Sequence, residues 1–163
     1  MRVVIQRSLN SKVIIDNKEV GLIKEGLTLL VGFTDGDDEQ VLDKMIDKII
    51  NLRIFDDENG VMNKSLMDVK GEVLSISQFT LYADTSKGRR PSYVKAMEPS
   101  KASALYDEFN KRLAAFTNVK TGIFGGDMQV SLTNNGPVTI IFSIIAIILL
   151  SGVGFEVYYY FIR

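Results

Sequence analysis

Cysteine and histidine are both absent from the 163 residues of this chain. Without cysteine there is no disulfide, and thiolate nucleophiles and thiolate metal ligands are excluded. Without histidine, Ser-His-Asp triads, Cys-His pairs, histidine general bases and histidine-ligated zinc are excluded as well. An enzyme of this composition therefore works with backbone N–H groups, hydroxyls, carboxylates, lysine or a group on its own substrate.

Net charge is low too, because 19 basic side chains are balanced by 20 acidic ones. A contact with nucleic acid therefore has to come from a local basic patch. The length suits one domain with a hydrophobic core. The first residues, MRVVIQR, have a strand pattern and lack the long apolar segment of a signal peptide, so we expect a cytoplasmic protein.

Apolar patterning predicts a mixture of strands and helices. Alternating or continuous apolar residues indicate strands over 1–8, 12–23, 27–33, 71–83 and 119–142, with a hairpin turn at Asp16-Asn17. Two amphipathic helices are predicted, one beginning near Asp37 and one over 99–116. The second should direct inward its apolar residues Leu105, Phe109, Leu113 and Phe116. We therefore expect an α/β (α+β) fold, a mixed, barrel-like β-sheet with two amphipathic helices packed on one side.

The end of the chain does not fit this domain. No charged residue stands between Asp127 and Glu156, and the most apolar part reads IIFSIIAIILLSGVGF. Its first residues belong to the last predicted strand, and the remainder is short for a membrane-spanning helix. The aromatic run YYYF that follows is typical of a membrane interface. Three alternatives stay open: an extra packed or interface element, a tail that contacts a membrane, or a segment of altered origin.

Three short segments carry the chemical interest: SQFTLYA from Ser77, SKGRRPSY from Ser86 and NNGPVT from Asn134. On its own, NNGPVT favours a tight turn, because glycine and proline both weaken a strand. The alternative is that its main chain faces a ligand. In this order, with MRVVIQR at the start and FGGDMQV before the last strand, the segments closely resemble the D-aminoacyl-tRNA deacylase family. The resemblance predicts a deacylase domain over 1–142 and a divergent apolar tail over 143–163.

This resemblance implies a cytoplasmic homodimer that hydrolyses the ester joining a D-amino acid to the terminal ribose of tRNA. The family also removes glycine from mischarged tRNA, and it needs no metal or other cofactor, so none is expected. Two features depart from the family. Asn135 stands where aspartate is more frequent, and the family usually ends in a short polar tail soon after the last strand.

The resemblance also assigns the residues that bind the aminoacyl group. It implies that Gly136 and Pro137 are joined by a cis peptide and enter the pocket of the partner subunit. Carbonyl oxygens there would hold the amino group and leave no room for an L side chain, which rejects the wrong enantiomer. Arg7 resembles the arginine that braces this segment, with an exposed charge as the alternative. Met128 resembles a pocket-lining residue, with plain core as the alternative.

Ser77, Gln78, Phe79 and Thr80 match the SQFT segment that lines the ester in the family. A threonine nucleophile needs an activating base, and this segment contains no lysine or carboxylate. We therefore hypothesise that Thr80 positions the ester and that the N–H groups of Phe79 and Thr80 stabilise the oxyanion. A hydroxyl of the terminal ribose would transfer the proton while water attacks. Covalent catalysis by Thr80 is the competing mechanism.

The basic segment around residue 90 predicts contact with tRNA. Positive charge comes from Lys87, Arg89, Arg90 and Lys95, without an acid between them. We expect them to contact phosphates, and Tyr93 to stack on a base. A solvated loop is the alternative. Two other functions are also open: a non-catalytic RNA-binding module that uses this loop, and a membrane-associated interaction protein that works through the tail.

Overall fold

The computed structural model describes the backbone of residues 1–151 and 154–162 and the side chains of residues 1–144. Its elements in chain order are β1 (Arg2–Ile15), β2 (Lys18–Gly32), α1 (Glu39–Ile50), β3 (Phe55–Asp56), β4 (Met62–Lys64), β5 (Glu72–Ser77), a 3₁₀ helix (Phe79–Tyr82), α2 (Pro99–Leu113), β6 (Val119–Thr121), β7 (Gln129–Ser151) and β8 (Gly154–Ile162).

A tight turn at Asp16 and Asn17 joins the two longest strands of the amino-terminal half. Both residues have left-handed backbone angles, with φ of 50° and 60°. Short polar residues tolerate this geometry, which matches the twist of a two-residue hairpin. The predicted hairpin is therefore confirmed. The three strands predicted before residue 34 are parts of the two continuous strands β1 and β2, which pair antiparallel from Arg2↔Gly32 onward.

The main sheet has six strands in the order β6-β5-β2-β1-β7-β8. The β2–β5 and β5–β6 pairs are parallel, and the other pairs are antiparallel. The mixed sheet with two helices confirms the predicted fold class. Over the described backbone, however, β6 and β8 do not pair, so the sheet is open rather than barrel-like. Closure requires strands long enough to tilt and stagger into register, and β6 has only 3 residues.

Both helices pack on one face of this sheet, as predicted. The stripe of α1 is buried against inward side chains of β1 and β2, which include Val3, Ile5 and Leu29. In α2, Phe109 and Leu113 are fully buried, and the half-buried Leu105 packs beside them. The prediction for Phe116 is wrong, since its side chain is 50% exposed. The helix ends at Leu113, so the helical periodicity from which an inward Phe116 was predicted does not extend to that residue.

A smaller apolar cluster covers part of the opposite face of the sheet. Its buried members are Val13, Ile23, Leu74 and Ile76, with Met128 and two other half-buried residues beside them. Neighbouring residues of a strand point to opposite faces of the sheet. In β5, Val73 therefore packs in the helix-side core while Leu74 packs in this second cluster. The strand is thus buried on both sides and places its end, Ser77, between the two clusters.

Strand β7 continues past residue 142 without interruption. Ser143 pairs with Arg2, and Ile144 is buried in the helix-side core. Beyond it, β7 and β8 form a hairpin that begins at the Ser143↔Ile162 pair. The boundary at residue 142 stays a prediction, and the surroundings of the tail side chains lie outside the described residues. Among the residues that the structure describes, no helix is long and apolar enough to cross a membrane.

Candidate functional site

The SQFT segment forms a tight turn where β5 ends. The predicted strand over 71–83 is correct only as far as Ser77, because Phe79–Tyr82 is a 3₁₀ helix. The Gln78 N–H donates to the Val31 carbonyl at 2.7 Å, and the chain then leaves the sheet. The next residue of β2, Gly32, lies directly beneath. A Cβ there would be 2.8 Å from the Gln78 carbonyl oxygen, so only glycine lets the turn cross this closely.

Hydrogen bonds within the turn fix its shape. The Gln78 side-chain amide donates to the Thr80 hydroxyl, and the Leu81 N–H donates to the Gln78 carbonyl at 3.3 Å. Arg2 lies outside the turn and donates to the Leu81 carbonyl at 2.8 Å. The N–H groups of Phe79 and Thr80 stand in the first turn, where a helix provides no acceptor of its own. These two donors are therefore suited to a negatively charged ligand atom.

A cavity of about 630 Å³ opens beside this turn. Its walls include Ser77, Gln78 and Phe79 from the turn and Met128 from the segment before β7. Most of the remaining wall is apolar and comes from residues such as Phe33, Tyr93, Met97 and Phe124. The structure thus brings five of the predicted site residues, Tyr93 included, into one cavity. Thr80 follows the cavity wall by one residue and is linked to it through Gln78.

Glu98 is the only charged side chain among the described residues that line this cavity. It caps α2, because its carboxylate accepts hydrogen bonds from the Ser100 N–H at 3.0 Å and the Lys101 N–H at 3.2 Å. The hydroxyl of Ser100 also donates to it. These bonds, first that of the Ser100 hydroxyl, lower the pKa of Glu98. A carboxylate so occupied is a weak base, and its role here is to begin the helix.

The basic loop begins and ends beside the turn. Asp84 and Ser92 exchange two backbone hydrogen bonds at its base, and Tyr93 packs edge-on against Phe79 with ring centroids 5.0 Å apart. Lys87, Arg89 and Arg90 are all exposed. Hydrogen bonds from Ser86, together with the Lys95 ammonium at 2.9 Å, lower the pKa of Asp84. This ion pair offsets the charge of Lys95 and leaves positive charge at the loop tip.

Gly136 and Pro137 are joined by a cis peptide bond. Both residues are exposed, and the β1–β7 pairing skips them, passing from Ser8↔Asn134 to Gln6↔Thr139. Arg7 holds the base of this segment. Its side chain is buried and donates from Nε to the Asn135 carbonyl at 2.9 Å and from Nη1 to the Ile54 carbonyl at 2.7 Å.

Neither Gly136 nor Pro137 is among the described residues that line the cavity. The predicted site residues therefore fall into three groups: the turn with Met128, the loop with Tyr93, and the Gly-Pro segment with Arg7. The first two groups are adjacent through the contact of Tyr93 with Phe79. The individual roles given to these residues remain predictions.

Sequence reasoning missed most of the apolar wall and the carboxylate within it. Met97 and Glu98 precede α2, and Phe124 lies in the FGGDMQV segment, in which a role was predicted only for Met128. The only local signal was the Pro99-Ser100 helix start, which places the residue before it at a cap. Nothing local to residue 98 indicated that this helix begins at the wall of a cavity.

Comparison with known proteins bears on the identity of this site. The sequence model described as D-Tyr-tRNA(Tyr) deacylase matches residues 4–143. A solved structure described as the c-Myc DNA unwinding element binding protein is 37% identical, over 86% of this chain and 97% of its own, with a TM-score of 0.82. Another, described as a probable eukaryotic D-amino acid tRNA deacylase, is 20% identical over 86% of this chain and 97% of its own, with a TM-score of 0.74.

The mixed sheet with its two helices has the fold of the solved structure described as a tRNA deacylase. Because the family match covers most of its length, the chain belongs to the D-Tyr-tRNA(Tyr) deacylase family. It is a hydrolase that cleaves the ester bond of D-aminoacyl-tRNA. The family expected from the SQFT, SKGRRPSY and NNGPVT segments is thereby confirmed.

Proposed function

We propose that this deacylase proofreads chirality with its main chain, and that it also removes glycine from mischarged tRNA in the cytoplasm. One observation carries the proposal. The SQFT turn lines a cavity, while the exposed Gly136-Pro137 segment presents bare backbone elsewhere on the same chain. Carbonyl oxygens of such a segment would accept hydrogen bonds from the substrate ammonium and occupy the space of an L side chain. Glycine has no side chain, so it would pass.

The Gly-Pro segment would reach the cavity of a second copy. Each copy of a symmetric dimer would then donate Gly136 and Pro137 and receive the same pair in return. The anchoring of the segment supports this arrangement, since the buried guanidinium of Arg7 bonds to Asn135, the residue directly before it. An exposed segment held on such a base keeps its shape before it meets a partner, which lowers the entropy lost on binding.

The proposed chemistry is attack of water on the ester carbonyl. As the new C–O bond forms, negative charge develops on the carbonyl oxygen, where the N–H groups of Phe79 and Thr80 would stabilise it. Removing one such donor typically lowers the rate by about 10²–10³-fold, which corresponds to about 2.7–4 kcal/mol of transition-state stabilisation. The C–O bond to the ribose then breaks. The neighbouring ribose hydroxyl passes the proton of the water to the leaving oxygen, so free amino acid and intact tRNA result.

The direct test of the proposal is hydrolysis of D-tyrosyl-tRNA, L-tyrosyl-tRNA and glycyl-tRNA by the purified full chain. We expect the D ester to be cleaved at least about 100-fold faster than the L ester, and the glycyl ester to be cleaved as well. A matched chain ending at Ile144, the last residue with a described position in the core, shows whether the tail contributes. Equal rates on the two enantiomers would contradict the filter while leaving the deacylase activity intact.

Thr80→Ala is expected to lower the single-turnover rate by about fivefold and to leave tRNA binding unchanged, since one positioning hydrogen bond is worth roughly 1 kcal/mol. The loss is expected to be partial because the Thr80 hydroxyl accepts a hydrogen bond from Gln78 and has no base beside it in the described structure that would make it a nucleophile. Thr80→Ser, which retains the hydroxyl, should recover most of the rate. Complete loss with substrate still bound would instead support covalent catalysis by Thr80.

Glu98→Gln is the matched control for side-chain base catalysis. The amide retains a carbonyl oxygen for the helix cap but removes the only charged group in the described cavity wall. Because the carboxylate is occupied by the first turn of α2, we expect a rate within about threefold of wild type. A much larger loss, with an acidic limb removed from the pH profile, would make this carboxylate the base and displace the ribose hydroxyl from that role.

We further propose that the tip of the basic loop contacts tRNA phosphates. Replacing Arg89 and Arg90 together by alanine should reduce the slope of log K against log salt by about 1.4, because each lost phosphate contact removes about 0.7. The control variant is Lys18→Ala plus Lys24→Ala, which removes the same charge from two exposed lysines of β2, outside the basic loop. It should leave the slope unchanged. Equal slopes for the wild type and the arginine variant would contradict the contact.

Two other functions remain to be separated from this one. The 37% identical neighbour is described as a DNA-binding protein, so the loop tip is also a candidate for binding nucleic acid without catalysis. Hydrolysis lost in Phe79→Pro with tRNA affinity retained would separate catalysis from binding, because proline lacks the N–H. A function at membranes through the tail predicts that the full chain sediments with vesicles and that the chain ending at Ile144 does not.

A further inference from the structure

The strand that carries the catalytic turn is paired unequally on its two edges. On one edge β5 pairs with β2 as far as Ser77↔Val31. On the other edge its pairing with β6 ends two residues earlier, at Ser75↔Thr121. In the described structure, the last two residues of β5, Ile76 and Ser77, therefore have a strand ladder on one side only.

A buried tyrosine of α2 occupies the place where that second ladder ends. The Tyr106 hydroxyl donates to the Ser75 carbonyl at 2.7 Å, and the Gly122 N–H donates to the same oxygen at 3.2 Å. Tyr106 is 2% exposed. Both lone pairs of this carbonyl are thus used, one by the end of β6 and one by a side chain from the helix layer.

The same ring lies directly behind the cavity. Tyr106 contacts Phe124, with ring centroids 6.1 Å apart, and Ala102 stands one helical turn before it on α2. Both of these neighbours line the cavity, whereas Tyr106 does not. It therefore touches the wall and the strand at once without facing the substrate.

We propose that Tyr106 is a positioning residue, whose hydroxyl fixes the end of β5 and thereby the N–H groups that face the ester. The inference rests on the proposed role of the SQFT turn and deepens it. A displacement of about 1 Å in such donors costs up to about 100-fold in rate, so the anchor of the strand matters although it is remote from the reaction.

The surroundings keep this phenol in its donating form. Burial raises the pKa of Tyr106, so its proton is retained at neutral pH. The side chains of Ser75 and Asn110 interact with the same hydroxyl and lower its pKa, but by less than burial raises it.

The test is Tyr106→Phe, which deletes one oxygen and keeps the ring. We expect the single-turnover rate on D-tyrosyl-tRNA at saturating enzyme to fall about 10-fold, with the half-saturating enzyme concentration changed less than about twofold. Backbone amides of residues 77–80 should exchange with deuterium about 10-fold faster than in the wild type. Leu113→Val, a fully buried change on the same helix, should alter neither readout.

Unchanged rate and unchanged exchange in Tyr106→Phe would overturn the proposal, as would equal changes in Leu113→Val. The exchange measurement does not depend on catalysis. If the wild type failed to discriminate D from L esters, the proofreading proposal would fail, and faster exchange of residues 77–80 in Tyr106→Phe would still establish the anchor.

Discussion

Gly136→Ala is expected to lower the rate of D-tyrosyl-tRNA hydrolysis by about 100-fold or more, which is the loss typical of a 1 Å displacement of a binding group. The backbone at this residue has a φ of 127°, which side chains of L residues rarely adopt. A Cβ there would also lie 2.8 Å from Arg7 Nη2 and 2.8 Å from Val138 Cγ2. The segment or its anchor therefore has to move, and single-turnover kinetics measure the consequence.

Gly36→Ala is the matched control for this change. Its φ of 91° imposes comparable backbone strain, but a Cβ there has nothing within 4 Å. The residue lies between β2 and α1 and is not among the described residues that line the cavity. We expect it to keep the wild-type rate. Activity of Gly136→Ala close to that of the wild type would remove this segment from the substrate site.

Complementation distinguishes a segment that serves its own chain from one that serves a partner. Gly136→Ala and Phe79→Pro are each expected to be nearly inactive, the second because proline removes an oxyanion donor. When the two variants are co-expressed with different tags, random pairing makes about half of the dimers mixed. Each mixed dimer has one intact site of its two, so activity should recover to about a quarter of that of the wild type. No recovery in purified mixed dimers would contradict the cross-subunit arrangement.

Arg7→Ala should lower the free energy of unfolding by about 2–3 kcal/mol, because each buried carbonyl left without a donor costs roughly 1–3 kcal/mol. The side chain is buried and serves the Ile54 and Asn135 carbonyls, which are far apart in the sequence. Its ion pair with Asp56, at 3.2 Å, adds little because that carboxylate is half exposed. Urea denaturation of the two proteins measures the difference, and deacylation should fall with it.

Arg53→Ala is the control for Arg7, since the Arg53 guanidinium also donates to a backbone carbonyl, that of Asn63, but at the surface. Water replaces such a donor, so the expected loss is below about 1 kcal/mol. Arg7→Lys should stay destabilised, because an ammonium cannot reproduce the fork that reaches two carbonyls. If Arg7→Ala cost no more than Arg53→Ala, the anchoring of the Gly-Pro segment by this residue would have to be abandoned.

The helices and the first hairpin were predictable because their determinants are local. A period of 3.6 predicts α1 regardless of where it packs, and the left-handed angles at Asp16 and Asn17 suit short polar residues. The turn after Ser77 was not predictable in this way. The residues FTLY have high strand propensity, yet the chain leaves the sheet there as it crosses Gly32. Tertiary contacts overrode the propensity of the segment.

The site was predictable by motif and only in part by position. Ser77, Gln78, Phe79 and Met128 do line one cavity, and Arg7 does contact the residue before Gly136, whereas Thr80 lies just outside the cavity wall. The wall residue Glu98 and the proposed anchor Tyr106 have no motif that marks them, because their positions depend on where α2 packs. The Phe79 to Tyr93 contact likewise joins two segments whose relation no local pattern contains.

What the sequence determined by itself was the available chemistry. A chain without histidine or cysteine leaves ester hydrolysis to backbone donors, hydroxyls, carboxylates, lysine and the substrate, wherever those groups lie in the fold. The tertiary structure decided which groups meet. Arg7 and Asn135 are 128 positions apart and become neighbours only through the β1–β7 register, and a shift of that register by one residue would turn the arginine to the other face of the sheet.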